Sequence, residues 1–386
     1  MAEQRKTRVA IIGCGMIADQ HAGQLRYLPG CELVAACDTD ELMARQLAER
    51  FHVPQVFADA AEMLRAGAVD AVHITTPAQS HFPLARLCLE AGCHVYVEKP
   101  FALNTAQAEE LIHLAGAVGR RITVGHNLQF SPEAMRLRKL VHDGFLGGPP
   151  VHLECIQCYS HDEPTYGKAV LADPTHWVRR LPGSLLHNLV SHGIAKIAEF
   201  LEGDSPQLMS ITFSSPYLVS HGHTDVVDEV RAVLRDERGT TAFFLFTTQF
   251  GVGSSELRLF GSAGNLVLDN NYRTVVRLRP SSYKSYLRYF LAPISQALEH
   301  ASNTVVSARQ FARKEFQMDF GMRKLMELFY SAIREGGPDP IPGSEILRTT
   351  RIMDTIFSQI PSDALCVVEA GEGQVAKACK SWERHS

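Results

Sequence analysis

The stretch RVAIIGCGMIA, residues 8–18, decides the fold. Its apolar first half is typical of a buried strand, and a helix-forming segment begins directly after Gly15. A strand, a glycine turn and a helix in this order open a βαβ unit, in which the strands lie parallel. This stretch therefore predicts an α/β domain at the start of the chain.

The same alternation continues up to about residue 126. The strand-like runs ELVAACD, AVHITT, HVYVEK and RITVGHN are separated by helical patterns such as ELMARQLAERF. The strands are apolar throughout rather than at alternate positions, which indicates a parallel sheet covered by helices on both faces. We predict a doubly wound, Rossmann-type domain over residues 1–127.

The pattern changes after the GGPP break at residues 147–150. Strand-like runs now follow one another directly, among them VHLECIQCYS, LMSITFSS, EVRAVLRD, TTAFFLFTTQ and SELRLFGS. Short turns between successive strands are typical of an antiparallel sheet. A helical signal returns from about residue 285 to 357. We predict an α+β domain with an open, mainly antiparallel sheet over residues 128–361, and a loosely held tail over 362–386.

Composition and charge exclude several classes of protein. The formal charge of -4 provides no general attraction for nucleic acid. No stretch reaches the roughly 18 apolar residues that a membrane span needs, and the first residues lack the features of a signal peptide. Nine cysteines, an odd number, indicate reduced thiols. We expect a cytoplasmic protein with neither nucleic acid nor membrane as a partner.

Cys155 and Cys158 form an isolated C-x-x-C motif. They lie in a predicted strand, where a separation of three directs the two side chains to opposite faces. The sequence offers no second cysteine pair to complete a zinc site. We therefore interpret the two cysteines as packing residues and expect no metal.

The glycine turn has the features of a dinucleotide site. Gly13 permits the tight turn, Gly15 lets the backbone approach a pyrophosphate, and Met16 and Ile17 open the helix whose N-terminal amides face the anion. Tight strand-helix turns also occur without ligands. Asp38, which ends the second predicted strand, is the carboxylate expected to bind the adenosine ribose. No arginine follows it, so the sequence favours NAD over NADP.

Two further segments carry a resemblance to a known family. They are ITTPAQSH, residues 74–81, and EKP, residues 98–100, followed by an N-x-x-x-H motif at residues 188–192. With the glycine turn they resemble the glucose-fructose oxidoreductase, inositol dehydrogenase and rhizopine catabolism (Gfo/Idh/MocA) family. The resemblance implies dimers or tetramers, formed through the C-terminal sheet, that oxidise or reduce sugars, sugar acids, nucleotide sugars or cyclitols.

The resemblance also implies roles for individual residues. The segment that contains Thr76 and Pro77 would border the adenosine, and His81 ends this cofactor-binding segment. The E-K-P segment would supply Lys99 as the catalytic lysine, with Glu98 close to the nicotinamide ribose. A surface lysine at a strand end is the other interpretation of Lys99.

The third group of candidates lies on the predicted helix LLHNLVSHGIAKIAEFLEG, closed by Gly203. Asn188 and His192 are four residues apart and therefore share one helix face. Oxidation of an alcohol requires a base for the hydroxyl proton, and a neutral imidazole suits that task. We predict His192 as general acid/base, Lys99 as the group that stabilises alkoxide character and Asn188 as the orienting residue. A helix histidine with a satisfied ring is the alternative.

The chain departs from the family pattern at two places. Asn188 stands where relatives commonly carry aspartate, and an amide cannot supply the negative charge that raises the pKa of an imidazole. In VGHNLQF, residues 124–130, an aromatic residue and then arginines are more usual. His126 contacts substrate or is a structural histidine at a strand end, and Asn127 is the cofactor neighbour.

A polar, aromatic loop precedes the predicted catalytic helix. It contains YSHDEPTYGK, residues 159–168, and HWVRR, residues 176–180. Aromatic and arginine side chains suit sugar faces and phosphates, so Tyr166, Trp177 and Arg179 are candidate substrate residues. A solvated connector or a dimer contact is the alternative.

The leading hypothesis is an NAD-dependent dehydrogenase acting on a sugar-like polyol. One alternative is a redox-neutral glycosidase or lyase that oxidises a sugar carbon transiently with tightly held NAD. Another is an NAD(H)-binding sensor that lost activity, to which the aspartate-to-asparagine difference at residue 188 lends weight.

Overall fold

The first part of the chain folds around a six-stranded parallel sheet. The computed structural model describes residues 5–67, 69–160, 171, 173, 175–223, 226–250, 253–280, 285–313 and 320–360. The strands are β1 (Thr7–Ile12), β2 (Cys31–Cys37), β3 (Gln55–Phe57), β4 (Ala71–Ile74), β5 (His94–Val97) and β6 (Ile122–Val124), in the spatial order β3-β2-β1-β4-β5-β6. The predicted doubly wound parallel sheet is confirmed, and its strand order reverses between β1 and β4.

Five helices accompany these strands: α1 (Met16–Leu25), α2 (Glu41–Phe51), α3 (Ala60–Arg65), α4 (His81–Glu90) and α5 (Thr105–Ala117). Three of them have an N-cap residue whose side chain accepts a backbone N–H of the first turn. These residues are Asp40, Asp59 and Asn104. Such caps satisfy donors that have no partner inside the helix. These capping residues set where the three helices start. They therefore also set where the loops that precede these helices end.

The second part contains a seven-stranded sheet. Its strands are β7 (His152–Cys158), β8 (Gln207–Phe213), β9 (Glu229–Arg235), β10 (Thr241–Thr247), β11 (Ser255–Phe260), β12 (Asn265–Asp269) and β13 (Thr274–Leu278), in the order β13-β12-β11-β7-β10-β9-β8. Only the β7–β10 pair is parallel. The predicted open, mainly antiparallel sheet is confirmed. Its inner face carries Phe244 and Phe246, which are fully buried.

Seven helices complete the described part of the chain: α6 (Pro132–His142), α7 (Ser184–Leu189), α8 (Ser191–Ala198), α9 (Pro216–Ser220), α10 (Ser285–Ala312), α11 (Phe320–Glu335) and α12 (Gly343–Ser358). Helices α7 and α8 pack on the inner face of the second sheet and share its core. Helix α11 instead contributes Leu325 and Phe329 to the core of the first sheet. A late segment of the chain therefore completes the N-terminal domain.

The predicted continuous helix up to Gly203 is interrupted. Helix α7 ends at Leu189 and α8 begins at Ser191, with Val190 between them at φ -82° and ψ -15°. The Val190 N–H donates to the Leu186 carbonyl at 2.9 Å, and the Ile194 N–H donates to the Val190 carbonyl at 3.0 Å. Both are regular helical bonds, so the break between α7 and α8 is confined to Val190, and it falls between Asn188 and His192, the two residues on which the functional prediction depends.

Among the described helices, none combines the length and the apolar character that spanning a bilayer requires.

Candidate functional site

The glycine turn after β1 closes tightly on the loop after β4. Gly13 has φ +90°, and a Cβ at this position would lie 2.6 Å from Thr76 Cγ2 and 2.8 Å from the Thr76 backbone nitrogen. Only glycine fits both the backbone conformation and the space. At Gly15, by contrast, a Cβ would meet no atom within 4 Å. The turn is thus packed at Gly13 and open at Gly15, where a diphosphate would approach the N-terminus of α1.

A cavity of about 670 Å³ extends from this turn along the carboxyl ends of the strands. Gly13, Gly15, Asp38, Thr76 and Pro77 all line it. The Asp38 carboxylate accepts the Cys14 N–H at 2.6 Å and the Asp40 N–H at 2.9 Å, so the glycine turn itself holds it in place. The volume, the open glycine and the fixed carboxylate fit the adenosine half of a dinucleotide.

Three other predicted cofactor residues differ in their exposure. Met16 is 69% exposed at the start of α1, and Ile17 is half-buried beside it. His81 is buried, with Nδ1 2.8 Å from the Pro100 carbonyl and Nε2 2.9 Å from the Thr76 carbonyl. The imidazole of His81 therefore ties two loops of the cleft together rather than lining the cavity.

The structure brings Lys99 and Asn188 into direct contact across the two domains. Lys99 Nζ donates to the Asn188 main-chain carbonyl at 3.2 Å and to Asn188 Oδ1 at 3.3 Å. The carbonyl is available at this point because the helix is interrupted at Val190. Asn188 thus orients the ammonium of Lys99, where the sequence suggested that it orients substrate or His192.

His192 lies on α8 beside the imidazole of His126. Their ring centroids are 6.1 Å apart and the ring planes meet at 65°. Within the described residues, Nδ1 of each ring is buried without a hydrogen-bond partner. His126 is buried at the end of β6, and His192 is partly exposed. The two imidazole rings therefore lie side by side next to Lys99.

The electrostatics of this cluster keep the imidazoles neutral. Burial lowers the pKa of His192 well below its usual value, and the positive charges of Lys99 and Lys196 and the neighbouring His126 lower it further. Burial lowers the pKa of His126 to about 4. Burial also lowers the pKa of Lys99, which the negative charge of Glu98 opposes. The site thus combines neutral imidazoles with one ammonium, a set that can accept a proton from a hydroxyl and stabilise the resulting oxygen.

Glu98 and Asn127 lie on the Rossmann side of this cluster. The Glu98 carboxylate accepts the Lys99 N–H at 3.1 Å, and a Cβ at Gly125 would lie 2.6 Å from Glu98 Oε1. Asn127 is half-buried at the start of the 3₁₀ turn Asn127–Phe130. These contacts hold Glu98 against the ends of β5 and β6.

The loop before α7 reaches the cofactor cleft through one described contact. The Gln79 side-chain amide donates to the Trp177 carbonyl at 2.8 Å, which joins the loop after β4 to the 3₁₀ turn Trp177–Arg180. Arg179 Nη2 lies 3.3 Å from His223 Nδ1. Tyr166 lies outside the described residues.

Sequence reasoning missed a buried polar cluster behind Glu98, formed by His21, His73 and Tyr330. A histidine in the otherwise apolar strand AVHIT is the signal that could have directed attention to it. The partners could not be foreseen because Tyr330 is 257 positions from His73.

Comparison with known proteins agrees with this geometry. Residues 7–126 match the Gfo/Idh/MocA family, described as an oxidoreductase family with an NAD-binding Rossmann fold. D-apiose dehydrogenase of Paraburkholderia graminis is 33% identical over 145 residues, which cover 38% of this chain and 39% of that protein. The chain thus spans about two fifths of the length of that relative.

Longer matches have lower identity. Myo-inositol 2-dehydrogenase of Thermotoga maritima is 26% identical over 290 residues, covering 74% of this chain and 82% of that protein. The crystal structure of the WlbA dehydrogenase from Bordetella pertussis in complex with NADH and UDP-GlcNAcA aligns with a TM-score of 0.72 at 17% identity, over 93% of this chain and 96% of that chain. The whole two-domain fold is therefore shared. The glycine turn and the E-K-P segment lie within residues 7–126, and over these residues the chain matches the Gfo/Idh/MocA oxidoreductase family.

Proposed function

We propose that this protein is an NAD-dependent dehydrogenase that acts on a secondary hydroxyl, or the matching carbonyl, of a sugar, sugar acid, nucleotide sugar or cyclitol. The observation that carries the proposal is the contact of the Lys99 ammonium with both oxygens of Asn188, beside the neutral His126–His192 pair. This cluster lies between a domain of the NAD-binding family, residues 1–127, and a second domain, residues 128–361, that we assign to substrate.

In this proposal His192 accepts the hydroxyl proton during oxidation. Burial and the nearby cations keep its ring neutral at pH 7, which is the form that a base must have. Lys99 donates a hydrogen bond to the substrate oxygen and stabilises its developing negative charge. Asn188 holds the Lys99 ammonium with neutral acceptors, so the charge of Lys99 stays available to the substrate.

The residues around the cavity fit a dinucleotide, which would be held by Gly13, Gly15, Asp38 and Thr76. When bound, the nicotinamide supplies the hydride acceptor or donor. The charged residues that line the cavity are Asp38 and Asp59, with no lysine or arginine in the described lining. A ribose 2'-phosphate would meet two carboxylates and no cation, which favours NAD over NADP.

We test the proposal with Lys99→Met in a panel of sugars, sugar acids, cyclitols and nucleotide sugars. The variant keeps the length of the side chain and removes the ammonium. NADH formation should fall at least about 100-fold, the range for loss of an electrostatic stabiliser, while NAD still binds. NADH absorbance reports turnover, and quenching of protein fluorescence reports binding.

Lys139→Met is the matched control, because the Lys139 side chain is exposed on α6 and pairs with Asp143, the C-cap residue of that helix. It should leave turnover unchanged. Normal turnover of the Lys99→Met variant would reject the role of Lys99. A wild-type protein that carries stoichiometric NAD and converts a glycoside without net NADH would reject the dehydrogenase assignment.

We also propose that the protein is a cytoplasmic homodimer or homotetramer. Support for the assembly is the outer face of the second sheet, where Met209 on β8 is 74% exposed and pairs with the exposed Val233 on β9. Exposed apolar faces of this kind mark contact surfaces. Support for the location is that the described cysteines are unpaired, as in a reducing compartment.

A further inference from the structure

A chain of hydrogen bonds runs from the catalytic cluster into the core of the first domain. Glu98 Oε1 lies 2.9 Å from His21 Nε2 on α1. His21 Nδ1 lies 2.7 Å from His73 Nδ1 on β4, and His73 Nε2 lies 2.8 Å from the Tyr330 hydroxyl on α11. The chain therefore joins four separate segments and ends in the helix that the late part of the sequence contributes.

The chain is enclosed by apolar side chains. His21, His73 and Tyr330 have no exposed surface, and they lie in the core of the first sheet. The Tyr96 ring stacks on His73 with 4.6 Å between centroids and 6° between planes. Polar groups in such a place destabilise the fold unless each one is hydrogen-bonded, so their protons must be arranged to satisfy every contact.

Counting protons gives one arrangement for neutral rings. An ionised Glu98 can only accept, so His21 must donate from Nε2. Neutral His21 then accepts at Nδ1, which requires His73 to carry its proton on Nδ1. His73 Nε2 is left as an acceptor, and the Tyr330 hydroxyl donates to it. In each of the three hydrogen bonds the acceptor is the group nearer to Glu98. Bonds that run in one direction polarise one another, so each strengthens the next.

Adding a proton to His21 would break this order. His73 would have to move its own proton to Nε2, and the Tyr330 hydroxyl proton would then need a different acceptor. Burial and the neighbouring His21 lower the pKa of His73 well below its usual value, which also opposes a charged chain. The neutral arrangement is therefore the one that satisfies every contact from within the chain.

The anchored carboxylate acts on the catalytic lysine. Although burial raises the pKa of Glu98, the hydrogen bond from His21 and the charge of Lys99 lower it, and the pKa is below its usual value on balance. Glu98 in turn accepts the Lys99 N–H and favours the protonated form of Lys99. The titratable groups around Glu98 are His21 from α1, His81 from α4, His126 after β6, and Tyr96 and Lys99 on its own segment.

We propose that His21 and His73 are positioning residues of the catalytic site: with Tyr330 they form a one-directional chain of hydrogen bonds that keeps Glu98 ionised and oriented behind Lys99. This inference rests on the proposed dehydrogenase function for its kinetic consequences. Its structural content, the proton arrangement, can be measured without any substrate.

The first measurement is the tautomer of each ring in the full-length protein with ¹⁵N-labelled histidine. The resonances are assigned with His21→Gln and His73→Phe. We expect His21 to carry its proton on Nε2 and His73 on Nδ1 at neutral pH. A His73 ring protonated on Nε2, or a charged ring at either position, would overturn the proposal. Because no turnover is needed, this result stands even if no substrate of the proposed classes is found.

The second measurement is the pH profile of kcat/KM for His21→Leu. Loss of the donor raises the pKa of Glu98, so the acid limb should move to higher pH by about one unit or more. At the pH of the basic limb Glu98 is ionised in both proteins, so the basic limb should stay in place. His21→Gln, whose amide can donate to Glu98, should restore the acid limb. Tyr330→Phe, which removes a single hydroxyl, should shift the acid limb in the same direction by less.

Phe329→Leu is the matched control, because Phe329 is a fully buried neighbour of Tyr330 outside the hydrogen-bond chain. It should lower the melting temperature and leave both limbs in place. If His21 has a purely structural role, His21→Leu should lower activity equally at every pH and leave both limbs unshifted. That result would reject the proposal.

Discussion

At the scale of single residues, Asn188 bears most directly on the proposed chemistry. Both of its oxygens accept from the Lys99 ammonium, at 3.2 and 3.3 Å. A neutral acceptor fixes the position of the ammonium without neutralising it. It also adds no negative charge beside His192, so the positive charge of Lys99 contributes to the low pKa of the ring. The amide therefore yields a weaker base and a stronger electrostatic stabiliser than a carboxylate would.

Asn188→Asp should reverse this balance. A carboxylate at this position raises the pKa of Lys99 and of His192, because it favours the charged form of both. Oxidation needs neutral His192 as well as ionised Glu98, so the acid limb follows whichever of the two pKa values is higher. Raising this pKa should move the acid limb of kcat/KM upward by about 1–2 units. Steady-state NADH formation between pH 5 and 9 measures the shift.

The control for this prediction is Asn104→Asp, the same chemical change at the N-cap of α5. There the side chain accepts the Gln107 N–H at 2.9 Å, a task that aspartate performs equally well. Its pH profile should match that of the wild type. An unshifted acid limb for Asn188→Asp would show that His192 is not the group that titrates in catalysis.

At the scale of elements, the two glycines of the strand-turn-helix unit differ: one is required by the fold, and the other is assigned to cofactor binding. Gly13 is needed by the fold, since its φ is +90° and a Cβ would lie 2.6 Å from Thr76. Gly15 has open space where its side chain would be. We expect Gly13→Ala to destabilise the protein by about 1–3 kcal/mol, because both strain and overpacking act there. We expect Gly15→Ala to leave the melting temperature of the cofactor-free protein unchanged but to weaken NAD binding.

Differential scanning fluorimetry with and without NAD distinguishes the two variants. The Gly13→Ala protein should melt earlier in both conditions. The Gly15→Ala protein should melt like the wild type alone and lose most of the increase that NAD produces in the wild type. An equal loss of stability for both variants would contradict the assignment of Gly15 to cofactor contact.

The sequence predicted the elements that depend on local pattern. The five apolar runs of the first half are all strands of the parallel sheet, because strands covered on both faces have an unmistakable composition. The interruption at Val190 could not be predicted, since residues 185–198 contain no proline and Val190 itself has helical dihedral angles. It depends on tertiary contacts, including the bond from Lys99 to the Asn188 carbonyl. The same interruption changes the role of Asn188 from the one that helical spacing suggested.

At the scale of the whole molecule, three contacts at or behind the cleft join segments that are distant in the sequence. Lys99 contacts Asn188, Gln79 contacts the Trp177 carbonyl, and the Tyr330 hydroxyl of α11 contacts His73 of β4. The sequence could indicate which residue types carry chemistry in each half, but not this assembly, because the pairs are 89, 98 and 257 positions apart. The candidate site therefore exists only when both halves are folded together.

The last test concerns the outer face of the second sheet. Its exposed apolar side chains should be covered by a second copy of the chain in solution. Met209, Ile211 and Val233 lie on that face and are 54–74% exposed. A stable interface buries about 800 Å² on each partner, and a charge placed among its apolar side chains should weaken association. We expect the wild type to sediment as a dimer or tetramer of the 42.7 kDa chain, and Ile211→Arg to sediment as a monomer. Leu298→Arg is the control, because Leu298 is 65% exposed on α10, a helix that contacts β13 at the edge of the sheet opposite to β8. A monomeric wild type at micromolar concentration, or an Ile211→Arg protein that still associates, would place any contact between copies elsewhere.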